Sequence, residues 1–515
     1  MDEKPDGILI LDFGGQYCHL IARRVREMNV YSEILPCDAS VEEIEKMEDK
    51  MKIRGIVLSG SPSSIGSENS LGLDQSVLIN GPPVLGLCYG HQFIAHLFGG
   101  EVRRGDKREY GITRAIIDQP IEILKGMSPT ERVWMSHGDT VFSIPDDFKV
   151  LAHTDSSPVA AFSHRTIPLY GLQWHPEVAH TERGREMLGN FVFDICRCKP
   201  NWRAIDVAER AVKEIRKAVE DSKAIIALSG GVDSSVAAAL AVEAIGDRLV
   251  AVHVDNGLMR HEESKNVEKT FRELGVELVV VSARQQFLEK LRNVVDPESK
   301  RRIIGEEFIR VFESEARGKD AKYLIQGTIY PDRIESGYRR HSDKIKTHHN
   351  VGGLPMQMEF KAVIEPLRDL YKDEVRSLGK RLGLPDTLVK RQPFPGPGLA
   401  VRIIGEVTED KLKILRRVDT IVCEELEAQG HNETIWQYFP VLTSRSTGVK
   451  GDERAYGWTI AVRIVESVDG MTASFWKAPW DLLERISTRI TNEVPEITRV
   501  VYDITHKPPS TIEWE

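Results

Sequence analysis

The sequence predicts an α/β protein built from more than one domain, and two features support that prediction. Short apolar runs alternate with segments of helical period as far as Arg391, an order typical of parallel sheets covered by helices on both faces. The chain has 515 residues, which at roughly 150 residues per domain suggests about three domains. We therefore expect two parallel-sheet domains followed by a smaller C-terminal domain.

The first sheet is predicted by apolar runs that each stop at a glycine-containing turn. Ile8–Leu11 ends at such a turn and is followed by a helix-period stretch over Tyr17–Met28. Gly55–Leu58 and Val84–Leu87 repeat the pattern, and the latter run leads into a helical segment at Phe93–Phe98. Repeated strand and helix units of this kind place consecutive strands parallel to one another.

A second sheet is predicted after the pattern stops near residue 200. A charged amphipathic helix over Ala204–Asp221 leads into it. Helix-length segments then separate four predicted strands, which are Ala224–Leu228, Leu249–Val254, Glu277–Val281 and Tyr323–Gln326. This order favours a second doubly wound sheet.

A segment rich in proline and glycine marks the start of a third domain. Arg391–Gly398 contains three prolines and two glycines in eight residues, so it cannot continue a helix or a strand. Beyond it, Trp458–Glu466 and Arg499–Ile504 have strand-like composition. The predicted domains are therefore 1–200, 201–391 and 392–515, and the last is a smaller α+β unit.

Composition and charge favour a cytoplasmic protein that acts on small molecules. Lys plus Arg is 69 and Asp plus Glu is 78, a net charge of −9, so the chain as a whole does not attract nucleic acid or anionic lipid. Six scattered cysteines are too few for a disulfide framework and indicate a reducing compartment. The most apolar long stretch, Ala224–Gly246, is interrupted by Asp233, so no membrane span is predicted.

A cysteine is predicted to be a nucleophile in the first domain. Cys88 lies at a strand-to-helix junction with glycines two positions before and after it, Gly86 and Gly90. Small flanking residues permit the sharp turn of a nucleophile elbow, and the helix N-terminus favours a thiolate. His175 and Glu177 offer a base and an orienting carboxylate near the end of another strand. A lone cysteine or histidine is more often structural, so the elbow is the feature that favours catalysis.

A turn rich in glycine and serine predicts an anion site in the second domain. Ser229–Ser235 follows a predicted strand and precedes a helix predicted at Val236–Ile245. Glycines let the backbone approach a phosphate, hydroxyls donate to it, and the helix N-terminus adds positive potential. No lysine follows a second glycine, which argues against a Walker A loop. Asp233 would repel a phosphate unless Mg²⁺ lay between them, so we assign Asp233 to Mg²⁺.

The elbow and the segment Gln173–Glu177 make the first 195 residues or so similar to the class I glutamine amidotransferases. That family has a flavodoxin-like fold and releases ammonia from glutamine through a Cys-His-Glu triad. The resemblance implies that Cys88 is the nucleophile, His175 the base and Glu177 its partner.

The same resemblance implies an oxyanion hole and a glutamine pocket. Backbone N–H groups form the hole in this family, and motif position places them at Gly60 and Tyr89. The family has a Gly-Gly-Pro turn where this chain has Ser61 in place of the second glycine; serine keeps the N–H group but restricts φ. Gln92 and Trp134–Asp139 resemble elements of the pocket, and an ordinary surface loop is the alternative interpretation.

The anion turn resembles the signature of the N-type ATP pyrophosphatases, which cleave ATP between the α and β phosphates and transfer AMP to an oxygen of the acceptor. The resemblance implies a Rossmann-like fold of the adenine nucleotide α hydrolase type and ATP as a substrate, in keeping with the Mg²⁺ cofactor expected at Asp233. It implies ATP contacts from seven residues, which are Ser229, Gly230, Gly231, Val232, Asp233, Ser234 and Ser235.

Further basic residues are candidates for binding the polyphosphate. Tyr338–Asn350 is basic and non-periodic and includes Lys346, as expected of a lid that closes on phosphates. Lys372 is a second candidate. The alternatives are a solvated charged loop for the segment and an exposed helix lysine for Lys372.

Segments in order along the whole chain resemble the glutamine-hydrolysing GMP synthetase family; they are Gly327–Asp332, Lys346–Pro355, Pro393–Leu399, Gly451–Arg454 and Asp503–Glu515. That family converts xanthosine monophosphate (XMP) to GMP by activating the purine C2 oxygen with AMP. The resemblance implies XMP, ATP and glutamine as substrates and a homodimer formed by the third domain. By motif position it implies XMP contacts from Arg301, Gln437, Asp452, Lys507, Ile512 and Glu513.

Three other functions compete with this interpretation. A glutamine-dependent synthetase acting on deamido-NAD would combine the same two chemistries, but such enzymes usually carry a nitrilase-like glutaminase with a Cys-Glu-Lys set. A tRNA-modifying adenylating enzyme would need a basic surface and more cysteines. A non-enzymatic regulator would have degenerate sites, whereas candidate residues are present at both centres.

Overall fold

The computed structural model describes residues 4–65, 73, 75–273, 275–276, 278–337, 360–431, 435–467, 470 and 472–515. The described chain forms two compact units. The first contains the residues up to Arg203 together with residues 334–337, and the second contains Ala204–Arg333 together with residues 360–515.

The first unit is organised around one sheet. Its strands in the described residues are β1 Asp6–Asp12, β2 Tyr31–Pro36, β3 Lys52–Leu58, β4 Val84–Leu87, β5 Glu101–Ile117, β6 Thr130–Ser143, β7 Phe148–His153, β8 Ala161–His164 and β9 Leu169–Leu172. Its helices there are α1 Cys18–Glu27, α2 Val41–Met47, α3 Gln75–Asn80, α4 Tyr89–Leu97 and α5 Gly184–Gly189.

The order of strands in this sheet is β2-β1-β3-β4-β9-β8-β7-β5-β6. The pairs from β2 through β9 are parallel, and the pairs beyond β9 are antiparallel. Ile8–Leu11 of β1 is buried on both faces, as expected for a parallel strand covered by helices. Because β1, β3, β4 and β9 are adjacent, the loops after their carboxyl ends meet at one edge of the sheet.

The second unit begins with a five-stranded parallel sheet. Its strands are β10 Lys223–Ala227, β11 Leu249–Asp255, β12 Leu278–Ser282, β13 Ala321–Ile325 and β14 Ala362–Ile364, in the order β12-β11-β10-β13-β14. Its helices in the described residues are α6 Ala204–Val219, α7 Val232–Ile245, α8 Glu263–Glu273, α9 Arg284–Lys290, α10 Pro297–Gly318, α11 Tyr330–Gly337, α12 Lys372–Arg381 and α13 Asp386–Val389. The chain passes from β10 to β11 on one side and later returns to β13 on the other side of β10. The turn after β10 therefore lies at the topological switch point, where ligands bind in sheets of this kind.

The rest of the second unit is a smaller sheet with two helices. It contains α14 Glu409–Glu427, β15 Gln437–Lys450, β16 Glu453–Glu466, β17 Ser474–Phe475, α15 Trp480–Glu493 and β18 Ile497–Tyr502. β15 and β16 form a long antiparallel hairpin, and β18 runs parallel to β16. One apolar cluster includes Ile225 and Phe312 from the first sheet region and Leu415 and Ile490 from this one, so the two regions share a core. The domain limits 1–200, 201–391 and 392–515 stay predictions.

The predicted α/β fold class is confirmed, and the main differences concern where helices begin. The helix predicted at Val236–Ile245 begins at Val232, and the one predicted at Phe93–Phe98 begins at Tyr89. Both helices start in the motif residues themselves, whose polar and glycine-rich composition hides the helical period. None of the described helices has an apolar stretch long enough to span a bilayer.

Candidate active sites

The nucleophile elbow predicted at Cys88 has the geometry that its glycines require. Cys88 has φ 54° and ψ −102°, a strained conformation for a residue with a side chain. A Cβ atom on Gly86 would lie 2.4 Å from the carbonyl carbon of Gly90, and one on Gly90 would lie 2.6 Å from the oxygen of Leu58. Larger residues at either position would therefore prevent the turn between β4 and α4.

His175 and Glu177 lie at the same edge of the sheet as Cys88. His175 follows β9, the strand beside β4, and its Nδ1 is 2.7 Å from Oε1 of Glu177. A Cβ atom on Gly60 would be 3.4 Å from the His175 ring and 3.8 Å from Cβ of Cys88, so Gly60 borders both groups. The structure thus brings together Cys88, His175, Glu177 and Gly60.

The environment of His175 favours its charged form. The ring is fully buried, which by itself would lower its pKa, but the charges of Glu177 and Cys88 and their hydrogen bonds raise the pKa of His175 from 6.5 to about 10. Tyr17 packs edge-on against the ring at 4.8 Å between centroids. A buried imidazolium between a carboxylate and a sulfur is the arrangement that stabilises a thiolate.

Replacing Glu177 with Gln should lower the pKa of His175 by about one to three units, because the opposite charge is lost while the shape is kept. In the wild type the raised pKa contributes stability that is complete below pH 6.5 and is lost as the pH rises through about 10. NMR titration of the His175 ring protons measures the shift. Glu182→Gln, at an exposed carboxylate paired with Arg132, is the control, and an unchanged pKa in Glu177→Gln would contradict the assigned pairing.

Two polar groups lie next to the sulfur of Cys88. Cys88 Sγ lies 3.6 Å from the carbonyl oxygen of Ser136 and 3.8 Å from Nε2 of Gln173. Tyr89 begins α4, so its backbone N–H lies at the helix N-terminus next to Cys88, while Gln92 donates to the carbonyl of Asp139 at 2.8 Å. Gln92 and Ser136 lie in the segments predicted for the glutamine pocket, whereas no role was predicted for Gln173.

The anion turn in the second unit forms the start of α7. Gly231 caps the helix, and Val232, Asp233, Ser234 and Ser235 occupy its first turn. The hydroxyls of Ser234 and Ser235 donate to the carbonyl of Gly231 at 3.1 and 2.8 Å. The remaining backbone N–H groups of a first helical turn have no partner within the helix and are available to an anion.

Gly327 brings a second strand end to this turn. It follows β13, and a Cβ atom on it would lie 3.0 Å from the backbone nitrogen of Ser234 and 3.0 Å from the carbonyl carbon of Asp233. A side chain at this position would crowd the backbone of the anion turn, so glycine favours this approach. The switch point between β10 and β13 is therefore lined by backbone from both strands.

Two cations contact the anion turn. Lys372, at the start of α12, donates to Oδ2 of Asp233 at 2.5 Å, whereas Asp233 Oδ1 is buried without a hydrogen-bond partner in the described part of the chain. Arg391 donates to the carbonyl of Gly230 at 2.6 Å and forms an ion pair with Glu263. A contact of Arg391 with the anion turn was not predicted, because the sequence distinguishes this arginine from the others only as the first residue of the proline-rich segment. Lys346 and the predicted lid lie outside the described residues.

Five of the six residues predicted for the nucleotide gather at one end of the β15–β16 hairpin. Gln437, at the start of β15, donates to Glu513 Oε1 at 2.8 Å. Ile512 packs against the apolar cluster of Phe439, and Lys507 donates to the carbonyl of Gly470 at 2.7 Å and pairs with Ala473 in a β-bridge. Arg301 contacts the backbone carbonyl of Glu515, two residues beyond Glu513.

The structure does not bring Asp452 to this group. Asp452 lies in the turn of the hairpin, next to the pair Lys450 and Glu453, whereas Gln437 lies at the other end and pairs with Val465. Thirteen residues of extended strand separate these ends by about 40 Å. Within one chain, Asp452 is therefore distant from Gln437.

Two buried arginines hold the C-terminal segment. Arg402 donates from Nε and Nη2 to both carboxylate oxygens of Glu513, at 3.1 and 2.9 Å, and its guanidinium lies 4.1 Å from the ring centroid of Phe439. Arg463 donates to Ser510 Oγ at 2.9 Å and to the carbonyl of Thr511 at 3.1 Å. No sequence signal marks these arginines, because most arginines are exposed and burial is decided by tertiary packing.

Three family models match successive parts of the chain. Residues 9–195 match the family "Glutamine amidotransferase class-I", residues 205–310 match "NAD synthase", and residues 424–514 match "GMP synthase C terminal domain". The predicted fold class, two α/β regions with a C-terminal region, is consistent with all three matches.

Full-length relatives are similar along the whole chain. A protein named "GMP synthase [glutamine-hydrolyzing]" from Caldicellulosiruptor saccharolyticus is 53% identical over 99% of this chain and 99% of its own length. The protein of that name from Caldanaerobacter subterraneus is also 53% identical, over 100% of this chain and 100% of its own length. The protein of that name from Clostridium perfringens is 51% identical over 99% of this chain and 100% of its own length.

The fold and the matches define a class I glutamine amidotransferase joined to a region similar to NAD synthase, that is, a ligase that uses glutamine as amido donor. Identity above half over the full length decides the family more finely. The chain belongs to the glutamine-hydrolysing GMP synthases. The alternatives of a deamido-NAD synthetase, a tRNA-modifying enzyme and a non-enzymatic regulator are therefore wrong.

Proposed function

We propose that the chain catalyses XMP + ATP + glutamine + H₂O → GMP + AMP + diphosphate + glutamate at two separate sites. Glutamine is hydrolysed at Cys88, His175 and Glu177, and ATP is used at Ser229–Ser235. The observation that best supports this division is the buried contact of 2.7 Å between His175 and Glu177 beside a strained Cys88. A structural cysteine would not need an elbow or a charged partner.

In the first site, the thiolate of Cys88 attacks the carboxamide carbon of glutamine. The oxyanion faces the backbone N–H groups of Gly60 and Tyr89, and His175 gives its proton to the nitrogen as the C–N bond breaks and ammonia leaves. Water then attacks the carbonyl carbon of the thioester, and His175 takes up a proton from that water. The C–S bond breaks, which releases glutamate and restores the thiolate of Cys88. Glu177 keeps the ring oriented and stabilises its positive charge through both steps.

In the second site, the C2 oxygen of XMP attacks the α-phosphorus of ATP and diphosphate leaves. Backbone N–H groups at the start of α7, the hydroxyls of Ser229 and Ser234, and Lys372 bind the phosphates. Ammonia then forms a bond to C2, AMP leaves with the oxygen, and the extra proton passes to solvent. Lys346 is proposed to close over the phosphates.

Mg²⁺ is proposed as the cofactor of the second site. Mg²⁺ usually binds one or two carboxylates together with substrate phosphates, and the buried Oδ1 of Asp233, which lacks a partner in the described part of the chain, fits that requirement. The described residues contain no group of three His, Cys, Asp or Glu side chains that could hold a metal alone. When bound, the ion would neutralise charge on the phosphates, and Asp233 would hold it.

The nucleotide is proposed to bind where Arg301, Gln437, Lys507, Ile512 and Glu513 gather. If Asp452 belongs to the same site, a second copy must supply it, because it lies about 40 Å away along its own hairpin. Val449 and Tyr456, beside the same turn, are 72% and 68% exposed and favour coverage by a partner. We therefore propose a homodimer, which sedimentation equilibrium tests; a monomer at working concentration would remove Asp452 from the site.

Incubation with ATP, Mg²⁺ and glutamine, and with one nucleotide at a time, tests the proposed reaction. XMP should give AMP, diphosphate, glutamate and an aminated nucleotide in equal amounts. Deamido-NAD, the matched control, should give none above the rate without a nucleotide. Amination of deamido-NAD but not XMP would contradict the substrate assignment. The cytoplasmic location and the absence of nucleic-acid and membrane partners stay predictions.

A further inference from the structure

A buried hydrogen-bond chain leads from a carboxylate on β5 to the sulfur of Cys88. His137 Nε2 is 3.1 Å from Glu109 Oε2, and His137 Nδ1 is 2.8 Å from the carbonyl oxygen of Asp139. Gln92 Nε2 donates to the same carbonyl at 2.8 Å and to Gln173 Oε1 at 3.2 Å. Gln173 Nε2 then donates to Cys88 Sγ at 3.8 Å. All five side chains are buried.

The first contact of the chain is a buried hydrogen bond between Glu109 and His137. Both oxygens of Glu109 accept from the hydroxyl of Thr154, at 3.0 and 3.3 Å. Burial by itself would raise the pKa of Glu109, but the hydrogen bonds from His137, Ser156 and Thr154 together lower it. The two ring nitrogens of His137 face the carboxylate of Glu109 on one side and the carbonyl of Asp139 on the other. Burial, and to a smaller extent the neighbouring His137, lowers the pKa of His91 to about 3.

The carbonyl oxygen of Asp139, which His137 contacts, fixes the direction of the two amides that follow. A carbonyl oxygen only accepts, so the amide of Gln92 must turn its NH₂ group toward Asp139 and toward the oxygen of Gln173. The NH₂ group of Gln173 is then left facing the sulfur. A flipped Gln173 would place its oxygen against a thiolate, which repels it.

We infer that Glu109 is a positioning residue of the glutaminase site, acting through His137, Gln92 and Gln173 to aim an N–H group at the Cys88 thiolate. This inference rests on the proposed role of Cys88. It gives a catalytic purpose to a buried pair whose desolvation makes it a poor source of stability. Glu109 touches neither the sulfur nor any reacting atom, so its effect must pass through Gln173.

A double-mutant cycle between Glu109→Gln and Gln173→Leu tests the inference. Glu109→Gln should lower the glutamine-dependent kcat about tenfold, as for coupled neighbours, and should change ammonia-dependent activity by less than about twofold. In the Gln173→Leu background the same change should have no further effect. A purely structural role would give additive losses, and that result would overturn the inference.

Two further variants keep the test decisive. Glu101→Gln, at an exposed carboxylate on the same strand, should match the wild type; an equal loss there would also overturn the inference. If Glu109→Gln does not fold, Thr154→Val removes one donor to the carboxylate and should lower kcat by a few-fold, again without effect in Gln173→Leu. The Cys88→Ala variant tells failure of this inference apart from failure of the role proposed for Cys88. If Cys88 is not the nucleophile, that variant retains glutamine-dependent activity.

Discussion

Cys88→Ala should abolish glutamine-dependent synthesis and leave synthesis from added ammonia intact. Removing the nucleophile of a triad lowers the rate by about four to six orders of magnitude. The ATP site lies in the other compact unit, and Ser229–Ser235 and Lys372 are untouched by the change. With saturating ammonium salt, product should therefore form within about twofold of the wild-type rate, as expected for independent sites.

A second buried thiol provides the matched control for this experiment. Burial and the charges of Asp38 and Asp12 raise the pKa of Cys37 to about 12, so it stays a thiol and is not a nucleophile. Cys37→Ala should keep both activities. Loss of ammonia-dependent synthesis in Cys88→Ala, with normal folding by thermal unfolding, would contradict the division into two sites.

Asp233→Asn should lower ATP-dependent diphosphate release about 10²- to 10³-fold, the usual cost of removing one preorganised electrostatic group. The substitution keeps the side chain's shape and its place in the first turn of α7, but it removes the charge proposed to hold Mg²⁺. Diphosphate release with XMP and ATP is the measurement. Asp247→Asn, at an exposed residue just beyond the other end of α7, should not change the rate.

The Mg²⁺ dependence separates a role in metal binding from a role in holding Lys372. Asp233→Asn should raise the Mg²⁺ concentration needed for half-maximal rate, whereas Lys372→Met should slow the reaction without changing that concentration. If the two variants shift the Mg²⁺ requirement equally, Asp233 acts through its contact of 2.5 Å with Lys372, and the assignment to Mg²⁺ is wrong.

The two motif loops could be predicted from the sequence because their conformations depend on residues that are close together in the chain. Gly86, Cys88 and Gly90 specify the elbow through backbone conformation and space, which neighbours in the chain determine. Ser229–Ser235 similarly combines glycine, hydroxyls and a helix start within seven residues. The alternation of strands and helices gave the α/β class for the same reason, since it depends on period and not on distant contacts.

Other parts of the sites could not be predicted, because they depend on which strands become neighbours. The order β3-β4-β9 puts Gly60, Cys88 and His175 together, and residue spacing alone does not specify that order. The long hairpin separates Asp452 from Gln437, whereas motif position alone had grouped them. Strand pairing and register are set by long-range burial of apolar faces, which motif position does not describe.

The sequence by itself determined the fold class, the elbow around Cys88 and the anion turn at Ser229–Ser235, because short-range sterics and hydrophobic period are written in consecutive residues. Only the tertiary structure decided which polar groups are buried together. In the sequence, nothing separates the pair Arg402 and Glu513, or the pair Glu109 and His137, from the polar residues that are usually exposed. The members of each pair contact one another because burying a polar or charged side chain is costly unless it has a hydrogen-bond partner, and the packing of distant segments decides which partner is near.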